Sequence, residues 1–220
     1  MTAAAMLMTS CADGDPAVYI VGGQVPTTTS DTCAYSGTFN ADLFLTKGVY
    51  DVAYDAPYVF GGLVASQLRE RSSELGVNKA TLIVHGYDIE ILDRLGNEVD
   101  LGVDSSGAAV NNPYRQLSTG LIQSVSSAGA ISYGISAVDL IPSGYRTVLR
   151  SLIPNPNDPN SSTDILVKMT VFGETNGGLD VESREFQFPI EICSGCLEFC
   201  GSANSVCHAG QDGNTYCATQ

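Results

Sequence analysis

Positive charge, histidine and tryptophan are scarce in this chain. Its 220 residues include 10 Lys and Arg against 24 Asp and Glu, two His and no Trp, and the formal net charge is -14. A chain this acidic repels phosphate backbones, so the sequence predicts no nucleic-acid partner. No apolar run approaches the roughly 18 residues that a membrane-spanning helix needs. The sequence therefore predicts no helical membrane span.

The usual signatures of catalysis are also missing. No serine stands in a Gly-x-Ser-x-Gly elbow, and no glycine-rich phosphate loop is present. His85 lies in a strand-like pattern and His208 adjoins a cysteine. Asp88 and Glu90 share one face of a predicted strand, as an acid–base pair requires, but we interpret them as part of a solvated face. We predict a non-enzymatic protein with no catalytic residue and no cofactor; the alternative is an exported hydrolase whose residues are scattered over loops.

Residues 1–11 resemble the end of a bacterial export signal. Small and aliphatic residues precede Cys11, as they precede the acylated cysteine of a lipobox. Two features depart from that pattern: Met8 replaces the usual Leu, and no basic segment comes first, since the first cation is Lys47. We interpret Cys11 as a lipidation site, the alternative being a cysteine in a disordered leader. Because several acyl chains anchor stably, we predict a lipoprotein held in the cell envelope, at the outer membrane or cell surface.

The other cysteines are concentrated at the carboxyl end. With Cys11 set aside for lipid, six remain, and an even number in an exported chain predicts disulfides whose pairing stays open. A zinc site made of tail cysteines and His208 is the alternative. A thioredoxin-type redox motif is disfavoured, because no βαβ pattern surrounds the Cys-Ser-Gly-Cys sequence. We predict disulfides and no metal site at Cys33, Cys193, Cys196, Cys200, Cys207 and Cys217, with Cys33 paired to a tail cysteine.

Four segments follow from composition and periodicity. Residues 1–11 are the signal remnant, and residues 12–32, rich in Gly, Ser and Thr, predict a flexible tether. Residues 17–21 are apolar enough to add an edge strand. Residues 33–192 predict a β-sandwich domain, and residues 193–220 a cysteine-rich tail.

Strand patterns dominate the predicted domain. Residues 165–172 and 185–192 alternate apolar and polar side chains on either side of a Thr-Asn-Gly-Gly turn, which is typical of a hairpin with one buried face. Residues 80–93 predict a long strand with a bulge at His85 and Gly86. A short helix is predicted between Pro142 and Pro154. The fold class is therefore all-β: an antiparallel immunoglobulin-like β-sandwich with one short helix and a disulfide-rich C-terminal tail.

Two loops are candidates for binding. Residues 155–164 are rich in Asn, Asp and Ser, which are ligands that calcium takes, but this composition is also that of an ordinary long turn. Residues 102–113 form a polar, glycine-rich loop. We expect it to contact a protein or glycan partner, whose identity the sequence does not specify.

Several motifs together resemble uncharacterised bacterial lipoproteins of the myxobacterial type. They are the lipobox-like Cys11, residues 38–51 and 57–68, the predicted helix after Pro142, residues 171–183, Phe188-Pro189, Cys193-Ser-Gly-Cys196, and residues 210–212 before the last cysteine. The resemblance spans most of the chain. It implies an envelope location and a sandwich fold, and it implies no chemistry.

Overall fold

The computed structural model describes residues 17–29, 32–70, 78–103, 107, 110–127 and 129–197. Within these ranges two β-sheets pack on each other, with one short α-helix at their side. The predicted all-β sandwich is confirmed. Among the described residues no helix is long and apolar enough to cross a membrane.

The described residues form twelve strands and one α-helix. The strands are β1 (Val18–Gln24), β2 (Thr27–Thr29), β3 (Thr32–Ala34), β4 (Phe44–Leu45), β5 (Gly48–Asp51), β6 (Tyr58–Ser66), β7 (Leu82–Asp93), β8 (Tyr114–Ile122), β9 (Ser132–Ile141), β10 (Ser162–Thr175), β11 (Asp180–Glu182) and β12 (Phe186–Cys193). The helix α1 (Arg146–Ser151) continues a 3-10 turn at Ser143–Tyr145, and a second 3-10 turn lies at Ala41–Leu43.

The first sheet has the strand order β4-β1-β6-β9, and the second has the order β5-β12-β10-β7-β8 with β11 also paired to β10. Strands β2 and β3 form a separate antiparallel hairpin. Every other pair is antiparallel except β12 with β5, which run parallel from Ile190↔Gly48 to Cys193↔Asp51. This parallel edge is the one element of the sheet order that departs from the antiparallel prediction.

The predicted hairpin is the centre of the larger sheet. Along β10 every second residue from Ile165 to Thr175 is buried, and the alternation continues on β12 through Phe188, Ile190 and Ile192. The buried side chains face aromatic residues of the other sheet: the Phe60 and Phe188 ring centroids are 5.2 Å apart. Period-2 burial of this kind is what places one face of each sheet in the core.

A bulge interrupts β7 where the sequence predicts it. In the pairing of β7 with β8, the register shifts between Val84 and Gly86 of β7. In the pairing of β7 with β10, consecutive residues Phe172 and Gly173 of β10 face Gly86 and Val84, so the same residue of β7 is skipped. A Cβ at Gly86 would collide with the carbonyl oxygen of Gln116. The glycine therefore allows a close approach of neighbouring strands while the extra residue resets the buried face.

The prediction of a flexible tether over residues 12–32 is wrong for residues 18–24. These residues form β1, which lies between β4 and β6, and Val18 and Ile20 are buried. The glycines that suggested flexibility have a packing role instead: a Cβ at Gly22 would clash with the ring of Phe44, and one at Gly23 with that of Phe60. Glycine here makes room for aromatic rings rather than for motion.

The sandwich has two distinct ends, and we name them by the order of the chain. The entry end holds Ala17, residues 67–70, residues 78–81, Val125 and residues 176–179, which hydrogen bonds tie to one another. The exit end holds the turn after β12, the turn at residues 94–97, α1 and the start of β8. The described chain thus begins at one end and finishes at the other.

The place of β1 in the sheet can be tested by shortening a buried side chain. Ile20→Ala removes buried carbon atoms between the sheets, so we expect the free energy of unfolding to fall by about 2–5 kcal/mol. Leu95→Ala is the control, because Leu95 is 77% exposed, and we expect a change within about 0.5 kcal/mol. Urea unfolding followed by circular dichroism measures both. Equal stability of Ile20→Ala and wild type would contradict the buried position of β1.

Candidate functional site

The best-defined site lies at the exit end, where the predicted Cys-x-x-Cys motif follows β12. A disulfide joins Cys193, the buried last residue of the strand, to Cys196. Gly195 between them has φ of 80°, a left-handed conformation that glycine adopts without strain. The disulfide closes this turn, which supports the structural interpretation of the motif.

The carboxylate of Asp51 holds the turn against the parallel edge strand. Its Oδ1 accepts hydrogen bonds from the backbone amides of Gly195 at 2.7 Å and Ala53 at 2.9 Å, and its Oδ2 accepts one from the amide of Leu197 at 3.0 Å. Asp51 is fully buried. Hydrogen bonds from amides to a carboxylate are stronger than those between neutral groups. Asp51 therefore fixes the backbone on both sides of Cys196.

Two further contacts fasten the same turn. The amide of Val52 donates to the carbonyl of Cys193 at 2.9 Å, and the hydroxyl of Tyr54 donates to the carbonyl of Leu197 at 3.0 Å. Sequence reasoning missed Asp51 because its partners in the turn, Gly195 and Leu197, lie more than 140 residues away along the chain, and no local pattern links the two segments.

The atoms of this turn also form a group with metal-ligand geometry. Single ligand atoms of Asp51, Cys193 and Cys196 lie within 4.8 Å of one another, and no other such group of three occurs in the part of the chain that the structure describes. Zinc binds thiolates, however, and sulfurs joined in a disulfide are not thiolates. The oxygens of Asp51 already accept three amides. In this state the turn is a structural element, and the residues present do not fit a zinc ion.

Most of the other predicted cysteines fall outside the described residues. These are Cys11, Cys200, Cys207 and Cys217, together with His208. Cys33 belongs to β3, where its backbone pairs with Thr28. The lipidation of Cys11 and the remaining disulfides therefore stay predictions.

The pair of carboxylates on β7 is engaged in cross-strand ion pairs. Asp88 lies opposite Arg115 of β8, whose guanidinium donates two hydrogen bonds of 2.7 Å to it. Glu90 lies opposite Lys168 of β10, with the Lys168 Nζ 3.6 Å from its carboxylate. Each carboxylate thus faces a cation rather than the other carboxylate. The arrangement favours the interpretation of a solvated, charged sheet face over acid–base catalysis.

The loop at residues 155–164, the candidate for calcium binding, is held by its own polar atoms. Asp158 accepts a hydrogen bond from the amide of Asn160 at 3.0 Å, and the Ser161 hydroxyl accepts one from the amide of Asn155 at 3.1 Å. Asp164, at its end, forms an ion pair with Lys47 at 2.8 Å. These contacts are those of an ordinary Asx-type turn, and they give the calcium alternative no support.

The predicted contact loop at residues 102–113 is fastened at its base. The side chain of Asn112 donates to the carbonyl oxygens of Ile91 at 2.7 Å and Val99 at 2.8 Å, and its oxygen accepts a bond from the Ile91 amide at 2.9 Å. Val103, near the start of the loop, is 60% exposed. The loop therefore leaves a rigid base at the exit end and presents an apolar side chain to solvent.

His85 lies on the exposed side of β7, beside an open depression on the outer face of the larger sheet. Phe172 and Leu117 line the same depression, and the Arg115 guanidinium stacks on the Phe172 ring with 4.1 Å between them. Among the described residues that line it, His85 has no hydrogen-bonded carboxylate or nucleophile. His85 is thus a solvent-facing residue of β7.

In comparisons with known proteins, no family model and no curated protein sequence matches this chain. The resemblance to lipoproteins therefore stays a prediction, and the site must be judged from its own geometry.

The role of Asp51 can be measured by removing its carboxylate. Asp51→Ala leaves the amides of Gly195, Leu197 and Ala53 without this acceptor, so we expect the unfolding free energy to fall by at least about 2 kcal/mol. Hydrogen exchange at the Gly195 and Leu197 amides should also accelerate. Asp55→Ala is the matched control, since the Asp55 side chain is 75% exposed. A control variant as unstable as Asp51→Ala would contradict the assigned role.

A second measurement concerns the ion pair between Lys47 and Glu191. A hydrogen bond from Ser162 and, as the second cause, one from Lys47 hold the pKa of Glu191 below its usual value of 4.5. A carboxylate whose pKa is lowered by folding stabilises the folded state above its unfolded pKa and loses this effect as the pH falls. We expect Glu191→Gln to be less stable than wild type at pH 7, with the difference shrinking below about pH 4.

Urea unfolding between neutral and acidic pH tests this expectation, with the exposed Glu98→Gln as the control. A constant difference between Glu191→Gln and wild type across the whole range would show that the carboxylate has no linked protonation.

Proposed function

We propose that this chain is a lipid-anchored lipoprotein of the cell envelope, at the outer membrane or cell surface. In this proposal it acts as a non-catalytic structural or binding module that presents loops to a protein or glycan partner. The lipobox-like residues before Cys11 supply the anchor. The sandwich supplies a rigid support for the loops.

The single observation that carries the proposal is the disulfide between Cys193 and Cys196. Disulfides form and persist in secreted and periplasmic proteins and are rare where thiols are kept reduced. A chain that has a cysteine cross-link at its last described strand and a lipobox-like cysteine near its start fits an exported, acylated protein. Both features support the same compartment.

The non-catalytic part of the proposal is supported by the polar groups on the larger sheet. Asp88 and Glu90 are paired with cations, and Glu191 is bonded to Lys47 at 2.9 Å. Cross-strand pairs of opposite charge stabilise a sheet and keep its outer face hydrated. Because each of these three carboxylates is paired with a cation, none of them is a free acid or base for proton transfer.

The exit end offers the surface that best suits a partner. Leu95 and Val103 are 77% and 60% exposed, and Glu98 and Asp100 lie between them in the chain. Apolar side chains among acidic groups on fastened loops are suited to a partner that is basic and partly apolar. Such a partner is a protein or a glycan with cationic groups.

Acylation can be tested directly by replacing the cysteine that would carry the lipid. We expect the wild-type chain to partition into the membrane fraction with an intact mass that includes acyl chains, and Cys11→Ser to be soluble, because serine carries no thioether. Ser10→Ala is the matched control, since alanine is also small, and it should behave like wild type.

Mass spectrometry of the native protein reports the mature amino terminus, the acyl mass and the number of oxidised cysteines together. Recovery of an unacylated chain with reduced cysteines from the cytosol would overturn the proposal.

A further inference from the structure

The first described residue lies close in sequence to the proposed anchor. Ala17 follows Cys11 by six residues, and a chain spans at most about 3.5 Å per residue, so the two lie within about 21 Å of each other on any path. The Gln67 amide donates a 2.8 Å hydrogen bond to the Ala17 carbonyl, which fixes Ala17 to the entry end. The segment that separates domain and anchor is therefore much shorter than the predicted tether of residues 12–32.

This short connection limits how an anchored domain can stand on a membrane. Strand β6 runs from Tyr58 at the exit end to Ser66 at the entry end, and it spans about 26 Å at roughly 3.3 Å per residue. If the exit end rested on the bilayer, Ala17 would stand about 26 Å above it, farther than the connection reaches. The short connection therefore excludes an orientation in which the exit end alone rests on the bilayer.

Among the residues that the structure describes, the entry end carries two cations that form no ion pair. Among the described residues Lys47, Arg115, Arg146 and Lys168 form ion pairs. Arg69 and Lys79 have no such partner in the same part of the chain, and they flank a cleft between the end of β6 and the start of β7.

The walls of this cleft combine apolar and polar atoms. Leu68, Ala80 and Leu179 contribute apolar surface, and Gln67 and Thr175 contribute polar groups. Leu179, at the tip of the hairpin, is 62% exposed. Cations beside an exposed aliphatic side chain are the combination that binds the interface of a bilayer containing anionic lipids.

The acidity of the whole chain does not prevent such a contact. Charges in solution are screened beyond about 8 Å at physiological ionic strength, so only groups at the entry end interact with headgroups when this end faces the bilayer. Glu70, Glu174 and Asp180 lie at the same end but outside the lining of the cleft, so the attraction is limited to the cleft between Arg69 and Lys79.

We infer that the entry end of the sandwich rests on the membrane that holds the anchor, with Arg69 and Lys79 on the phosphate groups of anionic lipids and Leu179 at the interface. The inference rests on the proposed acylation of Cys11. It assigns the exit end, with the loop at residues 102–113, to the side that faces away from the bilayer.

The absence of Trp from the chain provides a clean probe of this orientation. Leu179→Trp places one indole at the entry end, and Leu95→Trp places one at the exit end, both at exposed positions that leave the core intact. The acylated full-length variants are reconstituted in vesicles of phosphatidylethanolamine and phosphatidylglycerol with brominated acyl chains. We expect at least twofold quenching of Leu179→Trp relative to unbrominated vesicles, and no quenching of Leu95→Trp.

The two cations are tested in the Leu179→Trp background. Arg69→Gln with Lys79→Gln should lower the quenching at least twofold and remove its dependence on phosphatidylglycerol and on salt. Arg94→Gln with Arg184→Gln is the matched control, because these exposed cations lie away from the cleft, and it should leave the quenching unchanged. Unchanged quenching in the Arg69 and Lys79 variant would overturn their assignment to headgroups.

Vesicle flotation separates failure of this inference from failure of the proposed function. If the protein floats with the vesicles but the two indoles are quenched equally, or only Leu95→Trp is quenched, or neither is, the orientation is wrong and the lipoprotein proposal stands. If the chain is unacylated and does not float, the proposed function is wrong, and the inference that rests on it fails too.

Discussion

Burial of one face of each sheet is the constraint on which this structure depends. The alternating apolar residues of β10 and β12 face the aromatic side chains of β6, and both sheets lose their core if this contact is broken. Because side chains alternate along a strand, the same constraint sends every other residue to the outer face. There Asp88, Glu90 and their cationic partners form ion pairs across the strands. The hydrophobic core thus fixes the position of the charged surface.

The parts of the fold that sequence predicts are those governed by local periodicity. The hairpin of β10 and β12, the bulge at Gly86 and the short helix after Pro142 each carry their signal within a few residues. Strand β1 has only part of this signal: residues 17–21 are apolar enough for a strand, but the glycines that follow resemble a linker until their contacts with Phe44 and Phe60 are known. The parallel pairing of β5 with β12 also cannot be predicted from local patterns, because the two strands lie far apart in the sequence.

The candidate site divides along the same line. The Cys-x-x-Cys motif can be recognised in the sequence, and the turn that it forms follows a strand as expected. The role of Asp51, which holds that turn, is evident only from the structure, because its carboxylate joins segments that are 144 and 146 residues apart in the chain. Composition suggested calcium at residues 155–164, but the oxygens there bond to the loop itself and to Lys47.

The parallel edge has a consequence for how the molecule is made. Strand β5 pairs with β12, so the pairing of Gly48 with Ile190 closes a loop that contains all of the chain between these two strands. Contacts between such distant segments form slowly, because the entropy of closing a long loop is lost before the contact is gained. A chain synthesised from its amino terminus therefore exposes β5 without its partner strand until Phe186–Cys193 has been made.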